Sequence, residues 1–376
     1  MVQPTLRQMI TYFLKLGSVV FGGPVVLCER MRQDLVEKNN WITPLEYSEG
    51  FALSQLAPGP LATQLAIYLG WVRGGVWWAT LVGLAFVIPS LLIVLILAFL
   101  YIRYEGLSWL QGAFYGIGAS VIAIITMSAY KLVTRTFKSD RLLWALGAVS
   151  ALVTAWTREE NLWIFLIGGV VVALFRNPPK FSKNKAMAVL PIFLFSGLSG
   201  EENLKALNTL FWFFVKAGAL VFGSGLAIVP FLHNGVVLEH HWLNEQQFLD
   251  AVAVAMITPG PVVITVAFIG ALVAGVGGGL VAALGVFLPC YLFVVIPAPY
   301  YARIAKHKRI GAFVDGVTAT AIGAIGGAAF VLGRGAIIDI PTALIAVAAI
   351  LVLIKFKKVP EPILILLAGA IGFLVR

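Results

Sequence analysis

The sequence predicts an all-α polytopic membrane protein: two inverted structural repeats of about six helices, joined by a linking helix, about 13 spans in all, with broken helices near the midplane. Composition is the first ground. Of the residues, 60% are hydrophobic and 12% charged, against about a quarter charged in soluble domains. Apolar stretches long enough to cross roughly 30 Å of hydrocarbon recur along the chain. Lipid offers no partner to backbone groups, and no alternating strand pattern is present, so the spans are expected as helices. The second ground is internal repetition. Pro58, Gly59 and Pro60 recur 201 residues later as Pro259, Gly260 and Pro261. Phe13, Lys15, Gly17, Phe21, Gly22 and Trp41 recur at the same offset as Phe214, Lys216, Gly218, Phe222, Gly223 and Trp242. After a one-residue gap, Pro89, Tyr101, Arg103 and Gly116 match Pro289, Tyr301, Arg303 and Gly316.

Loop charge is the third ground, and it carries the inversion. The loop at 131–141 holds Lys131, Arg135, Lys138 and Arg141 against Asp140, while its partner holds only Arg334 and Asp339. The loop at 157–161 carries Arg158, Glu159 and Glu160, and its partner Lys355, Lys357 and Lys358. Near 101–109 stand Arg103 and Glu105, matched by Arg303, Lys306, Lys308 and Arg309. One loop of each pair is basic and its counterpart is not. Basic loops stay in the cytoplasm, so the two copies are expected to insert upside down relative to each other, N-terminus inside and C-terminus outside.

In chain order, spans are expected near 8–28, 50–71, 74–102, 110–132, 141–156 and 160–175, then a short one near 186–199 that flips the orientation. The second set falls near 206–231, 248–273, 276–300, 311–333, 340–355 and 361–375. The domains follow as 1–178, a linker at 179–205 and 206–376. The first stretch lacks a small-residue cleavage site and carries repeat residues, so it reads as a retained span. The net charge of +10 lies between spans, where topology accounts for it, and no nucleic-acid partner is expected. Cys28 and Cys290 read as buried thiols. His233, His240 and His241 with Glu239 match no His-Glu-x-x-His spacing, and neither a metal nor another cofactor is expected.

Inverted halves with broken helices are a recurring plan of secondary transporters. The breaks are Phe21-Gly22-Gly23-Pro24 with its partner Phe222-Gly223-Ser224-Gly225, and the two Pro-Gly-Pro triplets. Glycine frees the backbone, and proline removes a donor. A helix interrupted there presents unpaired N–H groups and the positive end of its dipole, which suits an anion; a packing kink is the plainer alternative. Lys15 and Lys216, six residues before each glycine pair, read equally as pathway charges or as snorkelling side chains. Gln55, Thr63 and Gln64 flank the first triplet, and Thr258 and Thr265 the second, as candidate hydrogen-bonding ligands. Glu49 and Asp250 correspond to each other and read as caps or interface groups. No Gly-Lys dipeptide, and hence no P-loop, is present. Neither is a Gly-x-Ser-x-Gly elbow, so an enzyme is not expected.

The stretch from Phe51 to Gly70, through Ala57-Pro58-Gly59-Pro60-Leu61-Ala62-Thr63-Gln64, resembles the signature of the chromate ion transporter family. Phe21-Gly22-Gly23-Pro24 is similar to that family's first motif, and the second copy carries degenerate forms of both. The resemblance covers nearly the whole chain, in the family's long two-repeat form, and departs at Leu27, where a polar residue is expected. It implies movement of chromate across the cell membrane, usually outward to give resistance, with sulfate as the nearest mimic. Assembly with further copies of the chain stays open.

Overall fold

The computed structural model describes residues 3–21, 23–104, 108–157, 162–176, 202–220, 225, 228–300, 308–356 and 359–375. Every regular element among them is helical. The short span expected at 186–199 lies outside the described residues, as do Gly22, Gly223 and Ser224.

α1 (Leu6–Val19) opens on a capping box: the Thr5 hydroxyl accepts from the Gln8 amide, and the Gln8 side chain accepts from the Thr5 amide. The chain leaves the helix at Val20 and resumes as α2 (Pro24–Met31), with Pro24 in the first turn, where its missing N–H is harmless. A π-helical turn, Arg32–Lys38, extends α2. α3 (Pro44–Leu56) starts on a second capping box, Thr43 with Glu46. α4 (Leu61–Tyr104), α5 (Ser108–Phe137), α6 (Arg141–Thr157) and α7 (Leu162–Arg176) complete the first half. The second half repeats the plan: α8 (Glu202–Leu220), α9 (Ile228–His233) with π turn Asn234–Glu239, α10 (Glu245–Ile257), α11 (Thr265–Val295), α12 (Lys308–Ala336), α13 (Ile340–Lys355) and α14 (Glu361–Val375).

The first two expected spans of each half are not single helices. A continuous helix would separate Tyr12 from Asp34 by roughly 33 Å, yet the Tyr12 hydroxyl donates to the Asp34 carboxylate at 3.4 Å. The chain therefore folds back on α1 through the break at 20–23. Around Pro58-Gly59-Pro60 it folds back again: Arg73 on α4 forms an ion pair with Glu46 on α3, and Gly50 lies against the Tyr68 ring. A third reversal comes at Gly74 and Gly75, where Gly75 takes a φ of 65° and the two segments of α4 pack together through Gly83 and Ile67. The second half matches. Phe213 stacks on Phe231 at 5.4 Å, and α11 turns at Ala274 and Gly275. The physical reason for the difference is length: two half-helices and a turn carry as many apolar residues as one straight span.

Leu61–Tyr104, Gln111–Phe137, Val262–Tyr300 and Arg309–Ala336 are each long and apolar enough to cross a membrane. Beyond the Gly75 and Gly275 turns, α4 and α11 run antiparallel against each other, Thr80 reaching the Tyr291 hydroxyl at 2.7 Å and Leu95 touching Gly279. The remaining helices interleave. α12 packs on α6 and α7, whereas α5 packs on α13 and α14. Small residues allow the close approach: Gly316 faces the Gly168 backbone, Gly323 that of Gly147, and Gly116 that of Ala368. Large apolar side chains such as Leu84, Leu92, Ile96, Phe99, Leu284, Leu351 and Leu366 point outward. Such a surface suits hydrocarbon rather than water.

Candidate functional site at the meeting of the helix breaks

The Pro-Gly-Pro triplets form the tips of the fold-backs. Gly59 has a φ of +139° and Gly260 one of +97°, values that residues with a Cβ rarely adopt. Each tip also has no room for one. A Cβ on Gly59 would run into the Gln64 amide and stand 3.1 Å from Cys290 Sγ; on Gly260 it would overlap Ser90 Oγ. Ser90 and Cys290 are equivalent residues, each following a proline inside a long helix, Pro89 and Pro289. So the tip of each half rests on a helix of the other half. The Gly260 N–H donates to the Val20 carbonyl at 3.2 Å, which ties the second tip to the first half's break. Gly225, in the second half's break, lies against Val262 and Val263 just past that tip. The Ser90 hydroxyl donates to Gly17 at 3.2 Å, while the Cys290 thiol bonds Val286 at 3.0 Å and points towards Gly218 at 3.8 Å.

Thr63 and Gln64 are completely buried at the start of α4. The Gln64 Nε2 donates to the Pro58 carbonyl at 2.6 Å, which orients the amide, and its Oε1 is left without a partner. Thr63 Oγ1 has none either. Orphaned buried polar atoms are rare and cost about 1–3 kcal/mol each. These two lie beside the first amides of α4, which a helix leaves unpaired. The second half differs. Thr258 donates to Val254 at 2.7 Å and Thr265 to Val262 at 2.8 Å, so both hydroxyl protons are already engaged. Pro58, Pro60, Pro259 and Pro261 frame the two tips. Gly23 caps α2 without a side-chain bond, and a Cβ there would meet open space. Lys15, Lys216 and Gln55 are exposed on the outer faces of α1, α8 and α3, away from the buried atoms of the tips. Neither lysine forms an ion pair among the described residues.

Several roles come into view only in three dimensions. The Arg73 side chain, 8% exposed, clamps the base of the first tip through Glu46. Asp250 is buried, and accepts from the Tyr101 hydroxyl at 2.7 Å and from Gln246 at 2.8 Å. Leu27 is a buried packing residue of α2, and both cysteines are buried thiols. His233 pairs with Glu245 at 2.8 Å. Ser90 and Cys290 had one sequence signal, their position after the matched prolines, hidden because serine and cysteine do not match by letter.

Helix ends at depth are tolerated only where protein covers them or they line a cavity. A polytopic helical membrane protein with fold-back tips inside it, the first of them beside under-satisfied polar atoms, has the features of a membrane transporter. The sequence profile of the chromate transporter family matches residues 7–174 and 208–373, once in each half. The chain belongs to the chromate transporter family. It is 56% identical to a chromate transport protein of Cupriavidus metallidurans, covering 98% of this chain and 92% of that one. It is 50% identical to a probable chromate transport protein of Synechococcus elongatus, over 98% and 95%. A chromate transport protein of Pseudomonas aeruginosa is 30% identical over 98% and 92%. No solved structure matches. Relatives named as transport proteins align this chain with transporters rather than enzymes.

Proposed function

We propose that the chain is a secondary transporter that moves chromate outward across the cytoplasmic membrane and so confers resistance, holding the oxyanion where the four helix breaks meet. The observation that carries this reading is the orphaned Thr63 hydroxyl at the N-terminus of α4, a buried donor beside a positive helix end. Gln64 Oε1 supplies an acceptor for a bound water or for the hydroxyl of a protonated oxyanion. Pro58, Gly59, Pro60, Pro259, Gly260 and Pro261 shape the site in this reading, joined by Gly23 and Gly225 of the other two breaks, and Gly22, Gly223 and Ser224 are assigned to it by sequence alone. Lys15, Lys216 and Gln55 then serve the approach rather than the site, and Thr258 and Thr265 hold its backbone.

The halves 1–178 and 206–376 are inverted units in this reading, supported by the antiparallel course of α4 and α11 and by the loop charges. Each fold-back replaces a crossing, and each half loses two, so every later loop keeps its expected side. The N-terminus is cytoplasmic and the C-terminus external. Outward movement suits the energetics: two charges gain roughly 4.6 kcal/mol per 100 mV, more than a thousandfold gradient without ATP.

The test is chromate flux in proteoliposomes under an imposed potential, with wild type beside Gly59→Leu and Lys15→Ala. Saturable movement towards the positive side, abolished by Gly59→Leu and weakened by Lys15→Ala, is expected. Undiminished flux in the Gly59 variant removes the site from this account. Equal transport of sulfate would make the chain a general oxyanion permease, and non-saturable flux a passive channel.

A further inference from the structure

The two halves are the same unit seen in two environments. α10 is buried from Phe248 to Met256, packed on α5 and α14 as well as α11. Its counterpart α3 packs on α4 and the Arg32–Lys38 turn, and among the described residues makes no comparable packing on α12 or α7, the equivalents of α5 and α14. Ser48 and Gln55 on α3 are exposed, while their counterparts Leu249 and Met256 are 3% and 5% exposed. α1 differs from α8 in degree. Arg7, Thr11, Lys15 and Ser18 form one exposed stripe leading from the N-terminus to the break, and their counterparts are Asn208, Trp212, Lys216 and Ala219. None of these four α8 counterparts is buried, and Lys216 alone among them is exposed. At the matched positions of α3 and α10 the exposed residues are polar and the buried ones apolar, while apolar Leu14, Val19 and Leu45 are exposed beside them on the first-half face.

We infer that the structure is the resting state of a two-state cycle: a water-filled vestibule on the first-half face leads along α1 and α3 to the helix breaks, and the second-half face is shut by α10, latched by the Tyr101–Asp250 hydrogen bond. This rests on the reading of the chain as inverted units. A polar stripe at membrane depth is costly against lipid and calls for water. Exchange to the mirror state would wet Leu249, Met256 and Trp212 and dry Ser48 and Gln55, so the two states are unequal and this one is favoured. The latch joins α4 of the first half to α10 of the second, and must break for α10 to swing away. Glu49, the counterpart of Asp250, instead accepts from Tyr68 inside its own fold-back at 3.5 Å. With the N-terminus inside, the vestibule opens to the cytoplasm, the loading side of an exporter.

Gln55→Cys and Met256→Cys test this in membrane vesicles of both orientations, using a charged, membrane-impermeant thiol reagent and no chromate. The buried Cys28 and Cys290 make wild type the background control. Gln55→Cys should label roughly tenfold faster than Met256→Cys, and from the face that carries the N-terminus. Adding Tyr101→Phe should raise Met256→Cys labelling from the opposite face and lower that of Gln55→Cys. Reciprocity separates a shift of state from general loosening. Protection of Gln55→Cys, as when a second copy covers α3, overturns the inference. So does equal labelling of the two positions, or a Tyr101→Phe effect that is absent or of one sign. Since no substrate is present, failure here leaves the chromate flux result standing, and absent flux leaves the vestibule.

Discussion

At Thr63 burial and polarity conflict, and the conflict can be removed without changing shape. Thr63→Val deletes the orphaned hydroxyl. Melting in detergent should show stability kept or raised, by up to about 1–3 kcal/mol. If the hydroxyl serves a charged ligand, chromate flux should show a loss of apparent affinity of roughly ten- to a hundredfold, the equivalent of about 1.5–3 kcal/mol. A raised melting temperature with unchanged affinity would leave Thr63 a mere packing defect. Gly260 combines two penalties, a φ of +97° and an overlap with Ser90 Oγ. Gly260→Ala should destabilise by about 1–3 kcal/mol. Ser90→Gly in the same chain should recover only part of it, because it relieves the overlap and not the backbone. Full recovery would mean that the left-handed φ costs nothing there.

At the scale of the element, α12 shows how finely the helix contacts are set. A Cβ on Gly323 would overlap the Gly147 carbonyl, whereas one on Gly326, a single turn away, would meet nothing within 4 Å. Gly323→Ala should therefore cost about 1–3 kcal/mol by separating α12 from α6, and Gly326→Ala should gain up to about 1 kcal/mol from helix propensity alone. Thermal melts of the two variants check both signs, and equal shifts would contradict the packing. Elements are also where the sequence was most and least legible. The repeat, the presence of breaks at the Pro-Gly-Pro triplets and the ends of α6 and α13 were readable from letter matches, hydropathy and loop charge, and α5 and α12 to within a few residues. The fold-backs at 20–23 and at Gly74–Gly75 were not, because hydropathy counts apolar residues and is blind to a reversal among them. The partners of the tips were hidden for another reason: Gly260 meets Val20 and Ser90 from the far end of the chain. Such a contact belongs to the tertiary fold and to no local pattern.

For the molecule as a whole, polar ties secure both ends of the interleaved bundle. Arg176 bonds Asp140 and Asp315 at 2.5 Å each, and at the other end the Tyr115 hydroxyl donates to Asp339 at 2.5 Å. The Arg176 hydrogen bond, with help from the Leu143 and Leu142 amides and against a weaker effect of burial, holds Asp140 below the ordinary carboxylate range. A lowered carboxyl stabilises the fold fully above the unfolded value, about 3.9, and loses that contribution as pH falls through its own lower value. Wild type and Arg176→Ala should thus differ by a constant amount from neutral pH down to about pH 5 and converge below pH 4. The pair is partly exposed, so the difference should be about 1 kcal/mol or less. A gap that widens on acidification would show that Asp140 is not the partner that matters.

The exchange of helix pairs between the halves also sets an order of assembly. The face of α5 that carries Gly112 and Gly116 is covered by Ala368 and Gly372, which are synthesised long after it. Until α14 leaves the ribosome, α5 must wait in the bilayer with its backbone uncovered, so the first half cannot finish folding before the second. A chain stopped after residue 360 loses more than one helix at its end: it leaves a gap in the half that was made first, an exposed surface by which cellular quality control can recognise an unfinished chain.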